Sequence, residues 1–378
     1  MSARSYLIAA ASIGSGHLRA AEALRAAIAR REPEAKVTVV DFTARDIAPI
    51  TWLLKAIYLK MLRFVPDLYQ RLYDFSGGKA GGGMIRELIA RASAPSMERL
   101  LKLHNADVVI CTHPFPEAAA SRLKRNGRDF FLSVVLTDFS MHEIWIYPGV
   151  DAYFVATEKM MDGFRSLAGA HASVYATGIP VLPPASLSKE EAREQLGIAA
   201  DAHVILLMGG GLGLGGMERG IADLEASGEQ LTVLVAAGRN APLAAMAREA
   251  AKQSKHIIKV WEYTEEVPRL MAAADLLITK PGGLTISEAW TRGLPLVLHE
   301  PIPGPEEENA RYAVQQGTAL YLKEGEKLAA AVVSLFTEGT KMHQMRAASQ
   351  AASRGTAAEA IIRQIERCIA AKHSERSR

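Results

Sequence analysis

The sequence predicts an α/β protein built as two doubly wound parallel-sheet domains, and three observations carry that reading. A chain of 378 residues exceeds what one hydrophobic core usually fills. Short, near-continuous apolar runs alternate with helical stretches, as expected of parallel strands covered on both faces. The alternation stops at Gly178–Ser188, where Gly178-Ile179-Pro180 and Pro183-Pro184 interrupt every helical pattern, and then begins again.

Taken in order, Tyr6–Ile13 is an apolar run, Gly14-Ser15-Gly16-His17 breaks it, and Leu18–Arg30 reads as an alanine-rich amphipathic helix. Arg4 ahead of an apolar run has the outline of a signal peptide, but strand, glycine turn and helix in succession open a nucleotide-type α/β unit. Strands follow at Lys36–Asp41, Asp107–Cys111, Phe131–Leu136 and Ala152–Val155. In the second half the strands are Val204–Met208, Leu231–Ala236, Ile257–Trp261, Leu276–Thr279 and Leu296–His299, with a helix near Met217–Ala226. A last alanine-rich helix covers about Thr356–Ala371 and ends in a charged tail. The expected domains are residues 1–180, 181–355 and a C-terminal helix with its tail, 356–378, packing back on the first domain. Both main domains are Rossmann-like, and two such sheets in tandem would leave a cleft between their carboxyl edges.

A composition of 49% hydrophobic and 22% charged residues excludes disordered and collagen-like chains. No run approaches the roughly 18 apolar residues of a membrane span. Two cysteines, Cys111 and Cys368, exclude a disulfide scaffold and fit a reducing compartment. The net charge of +3 is too small to argue for nucleic acid. That charge is unevenly placed. Ile50–Ala80 holds five Lys/Arg against two Asp, and six of the 24 aromatic residues.

Within that segment Leu54, Tyr58, Met61, Leu62, Val65, Leu68 and Leu72 recur at helical spacing, up to and past a break at Pro66. Lys55, Lys60 and Arg63 fall within about 140° of one another around such a helix. A basic amphipathic helix carrying Trp52 and Tyr58 suits an anionic membrane interface, with core packing as the plain alternative. The glycine-rich Ser76–Gly83 after it would admit a lipid from the bilayer.

Two glycine clusters follow strands directly. Gly209–Gly216 holds six glycines, but no Gly-Lys-Ser/Thr closes it and the dinucleotide spacing is absent, so alone it reads as a flexible turn. The second, Lys280-Pro281-Gly282-Gly283-Leu284-Thr285, is sharper. Pro281 and Gly282 force a turn, Gly283 clears space for a phosphate, and a helix starting at Thr285 would aim the N–H groups of Gly283, Leu284 and Thr285 at a diphosphate. Glu288 would accept from ribose hydroxyls, although Thr285-x-x-Glu288 is also a capping box. After the next strand, the polar run Pro303–Asn309 suits sugar hydroxyls.

These motifs together resemble a GT-B nucleotide-sugar transferase of glycosyltransferase family 28. The likeness is nearest to bacterial processive diacylglycerol glucosyltransferases and plant monogalactosyldiacylglycerol synthases. It spans nearly the whole chain: Gly14–His17 with Ala20 and Ala21, Thr137-Asp138-Phe139 with His142 and Trp145, Gly178–Pro180, Gly209–Gly213, Gly238–Asn240, Lys280–Glu288 and Pro303–Asn309. The resemblance implies that Gly283, Leu284 and Thr285 hold the UDP diphosphate, Glu288 the ribose, Tyr263 and Thr264 the uracil border, and Glu306 and Asn309 the sugar or phosphate. Gly209, Gly210, Gly211, Arg239, Asn240, Lys280 and Gly282 complete the implied donor site, with Gly16 and His17 in the opposite loop. Relatives commonly carry Pro-Gly-Gln-Glu where this chain has Pro303-Gly304-Pro305-Glu306, and often glycine at the position of Glu262, which leaves glucose and galactose both open as donor sugars.

The implied chemistry is inverting hexose transfer from UDP-glucose or UDP-galactose to diacylglycerol, or to glycosyl-diacylglycerol, at the cytoplasmic face of an anionic membrane. No Asp-x-Asp occurs, so helix N-termini with Lys280 or Arg239 would stabilise the departing UDP, and neither metal nor cofactor is expected. His17 is favoured over its rival Asp138 as the general base, with Asp138 as its orienter or an acceptor-site residue. Three other activities fit parts of the pattern. An N-acetylglucosaminyltransferase acting on a polyprenyl diphosphate is one, and a noncatalytic UDP-sugar- or lipid-binding protein is another. A nonhydrolysing UDP-N-acetylglucosamine epimerase would leave Ile50–Ala80 unexplained.

Overall fold

The computed structural model describes residues 3–64, 82–168, 172–184, 186–210, 217–228, 230–302, 304–323 and 325–376. Gly211, the Pro66 break with Leu68 and Leu72 beyond it, and most of the glycine-rich stretch that follows lie outside the described residues. Two compact units divide the chain. The first comprises Met1–Leu182, Pro303–Pro305 and Gly355–Arg378, the second Pro183–Ile302 and Glu306–Arg354.

The first unit is built on a six-stranded sheet of β1 (Ser5–Ala10), β2 (Lys36–Asp41), β3 (Val108–Cys111), β4 (Phe131–Val135), β5 (Ala152–Val155) and β6 (Ser173–Ala176), in the order β2-β1-β3-β4-β5-β6. Every pairing is parallel. The inner strands β1, β3, β4 and β5 are buried along their whole length, which is why they read as unbroken apolar runs. Helices α1 (Gly16–Arg31), α2 (Pro49–Phe64), α3 (Gly82–His104), α4 (Pro114–Arg125) and α5 (Glu158–Ala168) connect them. Alanines at 20, 21, 23 and 27 let α1 lie close to the sheet, with Leu24 and Ile28 filling the space between.

The second sheet contains β7 (Val204–Met208), β8 (Thr232–Ala236), β9 (Ile257–Trp261), β10 (Leu276–Thr279), β11 (Leu296–Leu298) and β12 (Ala319–Tyr321), ordered β12-β11-β10-β7-β8-β9 and again all parallel. Its helices are α6 (Lys189–Leu196), α7 (Met217–Leu224), α8 (Ala241–Ala250), α9 (Val267–Ala273), α10 (Gly283–Thr291), α11 (Pro305–Gln315), α12 (Leu328–Thr337) and α13 (Gly339–Ala352). A partly buried carboxylate steadies the amino end of this sheet. Asp275 accepts from the N–H of Val204 at 2.8 Å and from Arg193 at 2.8 Å, and pairs with Lys189.

The last helix, α14 (Ala357–Arg376), belongs to the first unit. Ile361, Ile362 and Ile365 are fully buried in the cluster that contains Leu24, Ile28 and Phe154. Arg31 of α1 forms a bidentate pair with Glu366 of α14 at 2.9 and 2.6 Å. No helix among the described residues is long and apolar enough to cross a membrane.

The strands read from the sequence are all present, and β6 and β12 are additional. Both lie at sheet edges, are three or four residues long and are only partly buried, so neither carries a strong apolar signal.

Candidate active site

In an open parallel sheet, ligands bind beyond the carboxyl ends of strands at the point where strand order reverses. In the first sheet that point lies between β1 and β3, and in the second between β7 and β10. Each carries one cluster of candidate residues.

At the first switch point the chain leaves β1 through Gly14, whose φ of +81° places it in the left-handed region and whose side-chain position faces open space. Gly16 and His17 begin α1. His17 Nδ1 lies 2.6 Å from the carbonyl oxygen of Thr112, at the end of β3, and 3.0 Å from Thr137 Oγ1, at the end of β4. A carbonyl only accepts, so Nδ1 carries the proton and Nε2 carries the lone pair. The Thr112 hydroxyl returns a bond to the His17 carbonyl at 3.1 Å. Enclosure lowers the proton affinity of His17, while the Asp138 carboxylate and the Thr112 carbonyl work in the opposite direction. The ring is therefore neutral at neutral pH, with its lone pair on Nε2.

One residue that sequence reasoning passed over, His113, joins the motif residues Trp145 and His142 in this cluster. His113 follows Thr112 directly and packs edge-to-face on His17, ring centres 4.8 Å apart and planes at 84°. Trp145 stands 6.5 Å from His17 and 6.4 Å from His113. His142 caps the short turn Glu143–Trp145 that presents the tryptophan, its Nδ1 accepting from Ile144 N–H at 3.1 Å. The signal that would have found His113 is its place: Thr112-His113-Pro114 follows a buried strand next to the one that leads to His17.

On α2 the proposed membrane residues separate. Ile50, Leu53 and Ile57 are 45%, 51% and 47% exposed, and Lys60 continues the same stripe. Trp52 is partly exposed with the Arg45 guanidinium 5.4 Å from its ring centre. Lys55 instead reaches the loop after β1, donating to Ser12 Oγ, which bonds Asp41 at the end of β2. The single basic face read from the sequence is thus divided, because the stem of Lys55 points back over the sheet edge. Tyr58 and Arg63 are described in backbone only.

At the second switch point, Gly282 caps α10 with no side-chain bond, and the helix starts at Gly283. Thr285 consequently sits inside the first turn and cannot form the N-cap of a Thr285–Glu288 capping box. The leading N–H groups of α10, including those of Gly283, Leu284 and Thr285, are free of that competition and available to an anion. Leu284 is buried and packs this end, while Thr285 and Glu288 remain partly exposed. Gly209 and Gly210 follow β7, and a side chain at Gly210, where φ is +68°, would lie 3.5 Å from Lys280 Cε. A side chain on Gly282 would approach Lys280 Nζ, Glu306 Oε1 and Thr285 Oγ1 at 3.8–3.9 Å. These atoms thus surround one small space at the head of α10.

Lys280 pairs with Glu306, whose second oxygen accepts from Ile302 N–H at 2.8 Å. Asn309 is fully buried and donates to the Pro281 carbonyl at 3.0 Å, so it shapes the glycine turn from beneath. Further along the same edge, the Arg239 guanidinium lies 4.8 Å from the ring centre of Tyr263, which is 59% exposed. Asn240 caps α8 by accepting from Leu243 N–H, and Thr264 Oγ1 accepts from Glu266 N–H, both at 3.1 Å. Among the described residues no group of three His, Cys, Asp or Glu side chains is placed to hold a metal ion.

Comparison with known proteins agrees with this division. Residues 17–181 match the family model for monogalactosyldiacylglycerol (MGDG) synthase, and residues 204–365 match the glycosyltransferase family 28 C-terminal domain. The chain is 30% identical over 372 residues to the processive diacylglycerol beta-glucosyltransferase of Bacillus mycoides, covering 98% of this chain and 94% of that one. It is 27% identical to the protein of the same name from Bacillus pumilus, covering 90% and 88%. Among solved structures, Acinetobacter baumannii MurG has a TM-score of 0.60 at 15% identity, covering 97% of this chain and 99% of that one. The calicheamicin glycosyltransferase CalG4 has a TM-score of 0.60 at 17% identity with the same coverage, and these two likenesses speak to the fold alone. The fold is GT-B, and the chain belongs to glycosyltransferase family 28, in the group that holds the diacylglycerol glucosyltransferases and MGDG synthases.

Proposed function

We propose that this protein transfers a hexose from a UDP-sugar to diacylglycerol, with inversion at the anomeric carbon, and extends the glycosyl-diacylglycerol it makes. The single observation that carries the mechanism is the locked tautomer of His17. Its Nδ1–H is held by the Thr112 carbonyl, so Nε2 is the atom that takes the proton from the acceptor hydroxyl. The hydroxyl oxygen then attacks the anomeric carbon while the bond to UDP breaks. Negative charge that develops on the diphosphate is met by the amino end of α10 and by Lys280. Lys280 reaches that charge by exchanging its Glu306 partner for phosphate oxygens, which leaves Glu306 to accept from sugar hydroxyls. Arg239 and Tyr263 form an exposed shelf of the kind that stacks on uracil. No divalent metal is needed in this scheme, because these groups supply the positive charge.

The acceptor is a membrane lipid, and the exposed stripe Ile50, Leu53 and Ile57 with Lys60 is the surface proposed to enter an anionic leaflet at the cytoplasmic face. The deciding assay presents vesicles containing diacylglycerol with radiolabelled UDP-glucose and UDP-galactose in parallel, with chelator present, and separates products by the number of sugars. Label in monohexosyl- and dihexosyl-diacylglycerol is the expected result, and the better donor identifies the sugar. Absence of lipid product from both donors would overturn the reading. Vesicle binding that survives Ile50, Leu53 and Ile57 changed together to Ser would remove the stripe from it.

A further inference from the structure

His113 is buried, with 8% of its surface exposed, and its chemistry is fixed as firmly as that of His17 but in the opposite sense. It is the N-cap of α4, and its Nδ1 accepts from Phe115 N–H at 3.1 Å. An N–H only donates, so Nδ1 holds the lone pair and the proton of the neutral ring sits on Nε2. Burial and the neighbouring His17 keep the ring neutral. The edge-to-face pair therefore shows a substrate two different nitrogens: an acceptor, His17 Nε2, and a donor, His113 Nε2–H. Neither has a hydrogen-bond partner among the described residues. Trp145 borders both rings at about equal distance and gives the pair an apolar wall. A hydroxyl is the small group that matches this display, since its proton can go to one ring while its oxygen accepts from the other.

We propose that His113 is a second acceptor-binding residue, donating Nε2–H to the oxygen of the hydroxyl whose proton His17 takes. One hydroxyl is thereby held by both of its functions, with a remaining lone pair of its oxygen free to attack. The proposal rests on the reading of His17 as base and adds a residue to it. It also makes the site selective for a neutral alcohol: an ammonium group would set its protons against His113 Nε2–H, and a carboxylate would bring no proton to His17.

The capping and donating roles can be separated by substitution. An asparagine at 113 places an oxygen near the position of Nδ1 and keeps the helix cap, whereas a glutamine places its amide nitrogen near the position of Nε2 and gives up the cap. The test measures kcat and KM for diacylglycerol and for UDP-sugar, and thermal stability, in His113→Asn, His113→Gln and His17→Ala. The expected result is that His113→Asn stays as stable as the parent and loses about tenfold or more in kcat/KM for the acceptor, with KM for UDP-sugar unchanged. His113→Gln is expected to be the less stable of the two and the more active. The proposal is overturned if His113→Asn keeps the parent's acceptor kinetics, or if activity follows stability across both variants. His17→Ala separates the two layers: parental turnover in that variant removes the base itself, whatever the His113 variants do.

Discussion

The two switch points do opposite things with similar backbone. At the first, reactive side chains are enclosed and oriented by partners distant in sequence: His17 is held by Thr112 and Thr137 from two other strands and faced by His113. At the second, the chemistry comes mainly from a local backbone turn, Lys280–Thr285, with exposed Tyr263 and Arg239 beside it. Under the proposed function, the difference follows from what each site would handle. A base has to keep one proton state and one direction, which requires burial and fixed partners. A dianionic nucleotide has to be admitted and released, and uncapped N–H groups with a movable ion pair do this without a rigid box.

If that contrast is right, the largest effect belongs to His17. His17→Ala should lower turnover about 10²–10⁴-fold while UDP binding, measured by calorimetry, stays within twofold. Next comes Lys280. The pair variant Lys280→Met with Glu306→Gln should keep its fold and lose about 10²–10³ in kcat, with weaker UDP binding. Lys280→Met alone should also melt earlier, because Glu306, with only 10% of its side chain exposed, is left without its cation. Equal melting temperatures for the single and double variants would show that the pair does not hold the loop. Tyr263→Ala should raise KM for the donor about tenfold and leave kcat alone, as expected of a stacking surface; a change in kcat instead would place Tyr263 in the chemistry.

The smallest effect is a shift in pH dependence. His17 must be neutral to act, so turnover rises with pH through its titration, which burial places below 6.5. Asp138 opposes that lowering with its negative charge, and His113, the other titratable ring against His17, stays neutral. Asp138→Asn removes the opposing charge, and the acid limb of the rate profile should move to lower pH. Movement to higher pH would show that Asp138 acts on His17 by some route other than its charge.

The legibility of the sequence follows the same contrast. The turn Lys280–Thr285 is continuous, so its residues could be named from spacing, although the helix start was displaced: a glycine can end the turn as well as a threonine, and Gly282 does so. His17 was visible because the loop Gly14–His17 resembles the family's first loop. His113 was not, since its partner is 96 positions away and only the strand order β1-β3 makes them neighbours. Lys55 was placed with Lys60 because helical periodicity records the angle of a side chain but not the reach of its stem, and four methylenes carry the ammonium to Ser12.

The position of α14 also has a consequence for how the protein is made. Its Ala358, Ile361, Ile362, Ile365 and Ile369 complete a buried core whose other members lie in the first 175 residues. Translation at roughly 5–20 residues per second leaves that core open for on the order of ten seconds or more, while the whole of the second unit emerges. The second unit has no such wait. The half of the molecule synthesised first is therefore the half that finishes last, and during that interval the groove later filled by Ile361, Ile362 and Ile365 is the surface on which a chaperone, or a neighbouring nascent chain, would find it.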